Sequence, residues 1–80
     1  MGETTTILDV RGLNCPLPVL RAHKALRGMA PGATLTVVAT DPATLKDFPA
    51  FADETGHALL SSETAAGGEF RFVLRRRAEG

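Results

Sequence analysis

The sequence is poor in the residues that mark several functional classes: it has one cysteine, Cys15, and no tryptophan or tyrosine. One thiol cannot form an internal disulfide, which excludes a disulfide-stabilised secreted domain and favours the reducing cytoplasm. Nine basic and nine acidic side chains cancel, so no net charge attracts a polyanion, and no indole or phenol ring can stack on bases. We therefore expect no direct contact with nucleic acid.

Long hydrophobic runs are also absent from the sequence. The apolar stretches are far shorter than the ~20 residues that cross a bilayer, so no membrane partner is expected. With 44% apolar and 22% charged residues, the 80-residue chain has a globular composition. Residues 1–80 are therefore predicted to form a single domain with a loose tail at about 76–80.

Hydrophobic periodicity divides the chain into alternating strands and helices. The first helix is predicted over 16–29, and a second, of about eight residues, ends near Gly56 after a short turn. Strands with two-residue alternation are predicted over residues 5–10, 33–40, 58–63 and 69–76. This βαβαββ order predicts an α+β two-layer sandwich, with a mixed four-stranded sheet that carries both helices on one face.

The stretch "GLNCPLPVL", residues 12–20, holds the candidate reactive group. A lone cysteine is commonly a small buried hydrophobe. Cys15, however, precedes Pro16 where the N-cap and first residue of the predicted helix belong, and a helix start lowers the pKa of a thiol. Pro16 and Pro18 lack an N–H group, which leaves donors such as Leu17 and Val19. We expect a rigid site with an activated thiol.

The residues around this thiol exclude other cysteine chemistries. No second cysteine completes a C-x-x-C redox pair, and one cysteine with the scattered His23 and His57 does not match metal-ligand spacing. We interpret His23 as a helix boundary residue and His57 as a loop residue. A solitary exposed thiol suits a carrier better than a stand-alone catalyst.

Two segments together resemble the TusA (SirA-like) sulfur-carrier family. The first, "LDVRGLNCPLP" at 8–18, is similar to the family signature of an Asp, a Gly three residues on, and Cys-Pro-x-Pro. The second is "TDPATLKDFP" at 40–49. The matching residues are Asp9, Gly12, Cys15, Pro16, Pro18, Asp41, Pro42, Asp47 and Pro49.

The resemblance implies that Cys15 accepts sulfur as a transient persulfide, without a cofactor. The donor would be a cysteine desulfurase or a rhodanese-type enzyme. The acceptor would be a sulfur-relay protein, for example in tRNA 2-thiolation, while related members serve molybdenum-cofactor supply or sulfur oxidation. Gly12, Pro16, Pro18, Asp41 and Asp47 form the supporting motif. The two aspartates are also interpreted as helix caps.

Beside Cys15 the helix geometry predicts a docking face made of Leu17, Leu20, Arg21 and Lys24. At ~100° per residue, these positions lie away from the apolar stripe, and in some family members a glutamate replaces the leucine between the two prolines. Apolar anchors rimmed by charge are typical of transient interfaces. The basic residues would steer an acidic partner.

Two other functional classes stay open at this point. The βαβαββ order is similar to the C-terminal domain of translation initiation factor three, and Arg71 with 75–77 forms a basic cluster, which favours an RNA-binding or regulatory module. A single-thiol redox sensor is the other alternative, and it would need a resolving thiol from another molecule. Substitution of Cys15 separates a carrier from an RNA-binding module.

Overall fold

A computed structural model describes residues 5–78 of the chain, with the side chain of Thr5 left undescribed. The elements are β1 (Thr5–Val10), α1 (Leu17–Arg27), β2 (Thr34–Ala39), α2 (Thr44–Thr55), β3 (Ala58–Thr64) and β4 (Phe70–Arg75). The predicted βαβαββ order is confirmed. Within this described range, neither helix is long and apolar enough to cross a membrane.

The sheet is four-stranded and mixed, in the order β1-β2-β4-β3. β1 runs parallel to β2, and Leu8 lies opposite Val37. β4 is antiparallel to both of its neighbours, and the register of β3 against it shifts between Leu59 and Ser61. The first two strands therefore flank α1 as a crossover unit, and the hairpin closes the sheet on the other side of β2.

The hydrophobic core lies between the sheet and the two helices. One cluster of buried side chains takes alternate residues of β2 and β4 together with residues from α1 and α2: Leu35, Val37, Ala39, Phe72, Leu74, Ala22, Leu26, Phe48, Phe51 and Ala52. The ring of Phe48 packs against that of Phe72 at a centroid distance of 4.6 Å. Both helices thus cover the same face of the sheet, as predicted.

Helix α2 is longer than predicted, with 12 residues in place of about eight. The prediction began the helix near Pro49, but the helix continues through it. Pro49 and Leu45, whose carbonyl oxygen loses its N–H donor at this proline, are both exposed, so the break in the hydrogen-bond ladder faces solvent. The helix ends at Gly56, whose φ of 84° is the left-handed conformation that glycine adopts without strain.

The tail was predicted to be loose from about residue 76, and this is wrong for Arg76 and Arg77. The backbone N–H of Arg76 donates to the carbonyl oxygen of Ala33 at 2.9 Å, and its Nε donates to that of Leu26 at 2.7 Å. The guanidinium of Arg77 donates to the carbonyl oxygen of Thr55 at 2.9 Å. These hydrogen bonds attach the segment after β4 to the ends of both helices, which periodicity does not reveal. Residues 79 and 80 lie outside the described residues.

Candidate functional site

Cys15 is a free, exposed cysteine in the loop that joins β1 to α1. The loop turns at Gly12, whose φ of 83° disfavours any residue with a side chain. The backbone N–H of Gly12 donates to Oγ1 of Thr40 at 2.9 Å, and the N–H of Leu13 donates to the carbonyl oxygen of Val10 at 3.2 Å. The start of the loop is therefore held against the end of β2.

Asp41 holds the other end of this loop. Its Oδ2 accepts a hydrogen bond from the backbone N–H of Cys15 at 2.7 Å, and its Oδ1 accepts one from the N–H of Ala43 at 3.1 Å. Its carbonyl oxygen accepts hydrogen bonds from Thr44, through the backbone N–H at 3.0 Å and through Oγ1 at 2.6 Å. The N-cap of α2 is Ala43, without a side-chain cap hydrogen bond, so the interpretation of Asp41 as the cap is wrong. Asp41 instead holds the turn before α2 and fixes the position of Cys15.

Asp47 approaches Cys15 from α2. Both residues line a cavity of about 250 Å³ between the two helices, which we call the apolar groove. Its other lining residues are Pro16, Val19, Ala50, Phe51 and Glu54. Asp47 lies in the first turn of α2, inside the helix, so its interpretation as a cap is wrong. Its carboxylate is instead placed beside the thiol.

The pKa of the Cys15 thiol is raised, which contradicts the predicted lowering. The largest cause is the hydrogen bond with the Asp47 side chain, followed by partial desolvation and by the negative charges of Asp47 and Asp41. Each carboxylate disfavours a second negative charge on the sulfur. The thiol therefore stays protonated at neutral pH.

The helix start offers few donors to offset these carboxylates. The N-cap is Pro16, so Cys15 lies one residue before the position predicted for it. Pro16 and Pro18 carry no N–H group, and the N–H of Leu17 donates to the carbonyl oxygen of Asn14 at 2.8 Å. The Cys15–Pro16 peptide bond is cis. The partial positive charge of the helix therefore has few free N–H groups through which to act on the sulfur.

The residues predicted as a docking face lie on the surface of α1 next to this loop. Leu17 is 43% exposed and Leu20 is 54% exposed. Arg21 and Lys24 are exposed, and within residues 5–78 neither forms an ion pair. Pro18, by contrast, is fully buried and anchors the first turn of α1 in the core. An apolar pair with two uncompensated cations thus adjoins Cys15.

Sequence reasoning named Asp47 but missed the other residues of α2 that line the apolar groove, Ala50, Phe51 and Glu54. Asp47, Phe51 and Glu54 follow the helical spacing that places residues on one face, and this spacing is a signal available in the sequence. On the α1 side, His23 contacts Phe51 edge to face at a centroid distance of 5.5 Å. Among residues 5–78 no cluster of His, Cys, Asp and Glu side chains could hold a metal ion.

Asp9 and Gly12 of the first matching segment have different neighbours. Gly12 forms the turn described above, while Asp9 lies on β1 and pairs with Arg11 at 2.8 Å. Hydrogen bonds from Arg11 lower the pKa of Asp9 to about 2. Arg11 also pairs with Glu69 at 3.2 Å. This ion-pair network links β1 to the segment before β4 and does not involve Cys15.

Known proteins share both the sequence and the fold. The family model described as Sulfurtransferase TusA matches residues 6–76. A "Sulfur carrier protein TusA" from Allochromatium vinosum is 52% identical over 76 residues, which cover 95% of this chain and 99% of that protein. A protein of the same name from Pseudomonas putida is 45% identical over 73 residues, covering 91% of this chain and 90% of that protein.

A crystal structure of a SirA-like protein from Desulfitobacterium hafniense has the same architecture. It matches with a TM-score of 0.78 and 25% sequence identity, over 92% of this chain and 99% of that chain. Sequence and structure therefore agree on the family that the two segments indicated. The chain belongs to the TusA family.

Proposed function

We propose that the protein is a sulfur carrier in which Cys15 accepts a persulfide sulfur from a cysteine desulfurase or a rhodanese-type donor. The observation that supports this most strongly is the exposed thiol of Cys15, which lines the apolar groove. The backbone N–H of Cys15 is held by Asp41. Relatives named as sulfur carriers support this role. The acceptor is a sulfur-relay protein, for example of tRNA 2-thiolation. Because the thiol must stay reduced, the carrier works in the cytoplasm.

The transfer requires one bond to form and one to break. The Cys15 sulfur attacks the outer sulfur of the donor's persulfide and forms a new S–S bond, while the donor's own S–S bond breaks and its cysteine leaves as a thiolate. The thiol proton passes to a base and on to that leaving thiolate. The position of Asp47 beside Cys15 in the apolar groove, where it is the largest cause of the raised thiol pKa, supports Asp47 as the first proton acceptor. No cofactor is needed, since the persulfide itself is the carried group.

The same proposal assigns partner recognition to the docking face. Leu17 and Leu20 would enter a shallow apolar site on the donor or acceptor, and Arg21 and Lys24 would face acidic residues at its rim. A partner that covers this surface also covers Cys15 and removes water from the reacting sulfurs. The raised pKa of the free thiol agrees with a reaction that takes place only after docking. It makes the unbound carrier less reactive towards other electrophiles.

Intact-protein mass spectrometry tests the carrier function directly. The protein is incubated with a cysteine desulfurase and cysteine, or with a rhodanese and thiosulfate. We expect the mass of one added sulfur, which reductant removes and which Cys15→Ser does not acquire. The loaded protein should then transfer the sulfur to a relay acceptor. If neither donor adds sulfur to the wild type, the carrier function is refuted.

The other two classes receive less support from the described contacts. The basic cluster that suggested an RNA-binding module does not form one shared surface: Arg76 and Arg77 are attached to the ends of α1 and α2, whereas Arg71 pairs with Glu69 at 4.0 Å. A redox sensor would instead undergo thiol–disulfide exchange with a small disulfide such as oxidised glutathione: the Cys15 sulfur forms the mixed disulfide and one small thiol leaves. The same mass measurement separates these products.

A further inference from the structure

A second cavity of about 290 Å³ opens where both helices end. Arg27, the last residue of α1, lies on its wall, roughly 15 Å along the helix axis from the end that adjoins Cys15. Most of the lining residues carry nitrogen donors: His23, Arg27, His57, Arg76 and Arg77. Glu54 is the one carboxylate of the lining. The cavity therefore has an excess of positive charge.

Two of its arginines are held in place by hydrogen bonds. Arg76 donates through Nε to the carbonyl oxygen of Leu26, and Arg77 donates through Nη1 to that of Thr55. Arg77 also packs over Gly56, where an added Cβ would lie 3.6 Å from its Cδ. Each contact uses one of the five N–H groups of a guanidinium. The remaining donors are thus oriented before any ligand arrives.

The charge of these arginines is not neutralised within the described part of the chain. The ion pairs there involve only Arg11 and Arg71, so Arg27, Arg76 and Arg77 have no carboxylate partner among residues 5–78. The carbonyl ends of α1 and α2 offset part of this charge, but three guanidinium groups without a carboxylate partner still leave the cavity positive, which favours an anion.

His57 adds an oriented neutral donor. Its Nδ1 accepts a hydrogen bond from the backbone N–H of Arg77 at 3.0 Å, so the neutral ring carries its proton on Nε2. The pKa of His57 is lowered by burial and by the charges of Arg77, Arg76 and His23, which agrees with a positive potential here.

We propose that this cavity binds a tetrahedral oxyanion, a phosphate group carried by inorganic phosphate or by a small phosphate monoester. A planar guanidinium fork matches the paired oxygens of a phosphate, and the prior orientation of Arg76 and Arg77 reduces the entropy that binding costs. Arg27 adds a third positive charge on the same wall. The cavity is larger than a phosphate group requires, which leaves room for the organic part of a monoester. Stabilisation of the helix ends alone would need only the two hydrogen bonds from Arg76 and Arg77.

Titration of the full chain followed by ¹H–¹⁵N NMR tests the proposal. Inorganic phosphate and glycerol 3-phosphate are added in separate arms at constant ionic strength, with sodium chloride as reference. We expect saturable shifts at the amides of His57, Arg76 and Arg77 with phosphate and none with chloride. Equal affinities show that the phosphate group alone is recognised, tighter binding of inorganic phosphate identifies the free anion, and tighter binding of the monoester identifies the ester.

Matched arginine variants give the control. Arg27 makes no hydrogen bond or ion pair through its side chain within residues 5–78, so Arg27→Gln should fold normally and bind phosphate about fivefold more weakly. Arg21→Gln removes the same charge elsewhere on α1 and should leave the affinity unchanged. Cys15→Ser should also bind normally, because the site does not include the thiol. Absence of saturable shifts, or equal weakening in Arg27→Gln and Arg21→Gln, overturns the proposal.

Discussion

Replacement of Asp41 by asparagine and by alanine measures how strongly one carboxylate holds the Cys15 loop. The carboxylate accepts two backbone hydrogen bonds, from Cys15 at 2.7 Å and from Ala43 at 3.1 Å. Asparagine keeps one acceptor oxygen, whereas alanine keeps none. Because these two bonds are exposed or only partly buried, each should cost about 1 kcal/mol when lost, the value of a typical protein hydrogen bond and below the roughly 1.5–3 kcal/mol of bonds to charged groups. Asp41→Asn is then destabilised by about 1 kcal/mol and Asp41→Ala by about 2 kcal/mol.

Thermal unfolding followed by circular dichroism measures this stepwise loss of stability. For a domain of this size the Tm should fall by about 5 °C in Asp41→Asn and by about 10 °C in Asp41→Ala. Asp53→Ala is the matched control on α2, since Asp53 is exposed and makes no ion pair or side-chain hydrogen bond within residues 5–78; its free energy of unfolding should change by less than about 0.5 kcal/mol. Equal Tm values for Asp41→Ala and Asp53→Ala would refute the reasoning.

Three further predictions concern charge and docking. Asp47→Asn should lower the pKa of the Cys15 thiol, because it removes the largest cause of the raised value; the pH dependence of alkylation by iodoacetamide measures it, and a midpoint at or above that of the wild type contradicts it. Leu17→Glu should retain the wild-type Tm, since the side chain is 43% exposed, yet change the rate of sulfur transfer with a natural partner; unchanged kinetics would remove Leu17 from the docking face. Arg11→Gln should raise the pKa of Asp9 from about 2 towards its ordinary 3.8 in a carboxyl-carbon NMR titration. A lowered pKa stabilises the fold fully above 3.8 and loses that effect as the pH falls through about 2, so the variant should lose less stability in this range than the wild type.

Local periodicity was sufficient to predict the order of elements and the exposed position of the docking face. Alternate residues of β2 are buried because the sheet has one covered face, and Ala22 and Leu26, four residues apart on one face of α1, lie in the core. Leu17 and Leu20 fell outside that stripe and are exposed. These properties depend on neighbours within a few residues, which a single sequence displays.

The raised pKa of the thiol depends on contacts between residues that are far apart in the sequence, and these cannot be deduced from hydrophobic periodicity. Asp41 lies 26 residues from Cys15 in the sequence, and Asp47 reaches it only because α2 packs beside α1. The helix-start argument considered the dipole of α1 alone, so it omitted two nearby negative charges. The attachment of Arg76 and Arg77 escaped prediction for the same reason, since their acceptors are carbonyl oxygens of distant helix ends.

The two anchors of the Cys15 loop are neighbours in the sequence: Thr40 accepts from Gly12, and Asp41 accepts from Cys15. The separation of these acceptors therefore sets the number of residues that can lie between Gly12 and Cys15. One inserted residue in that interval would force the loop to give up one anchor or to bulge into the groove. An insertion at the glycines of the β3–β4 connection, where Gly67 and Gly68 are exposed, would disturb only the local hydrogen bond from the Ala65 N–H to the carbonyl oxygen of Glu69. Length variation should accordingly be accepted at the hairpin and rejected beside the thiol.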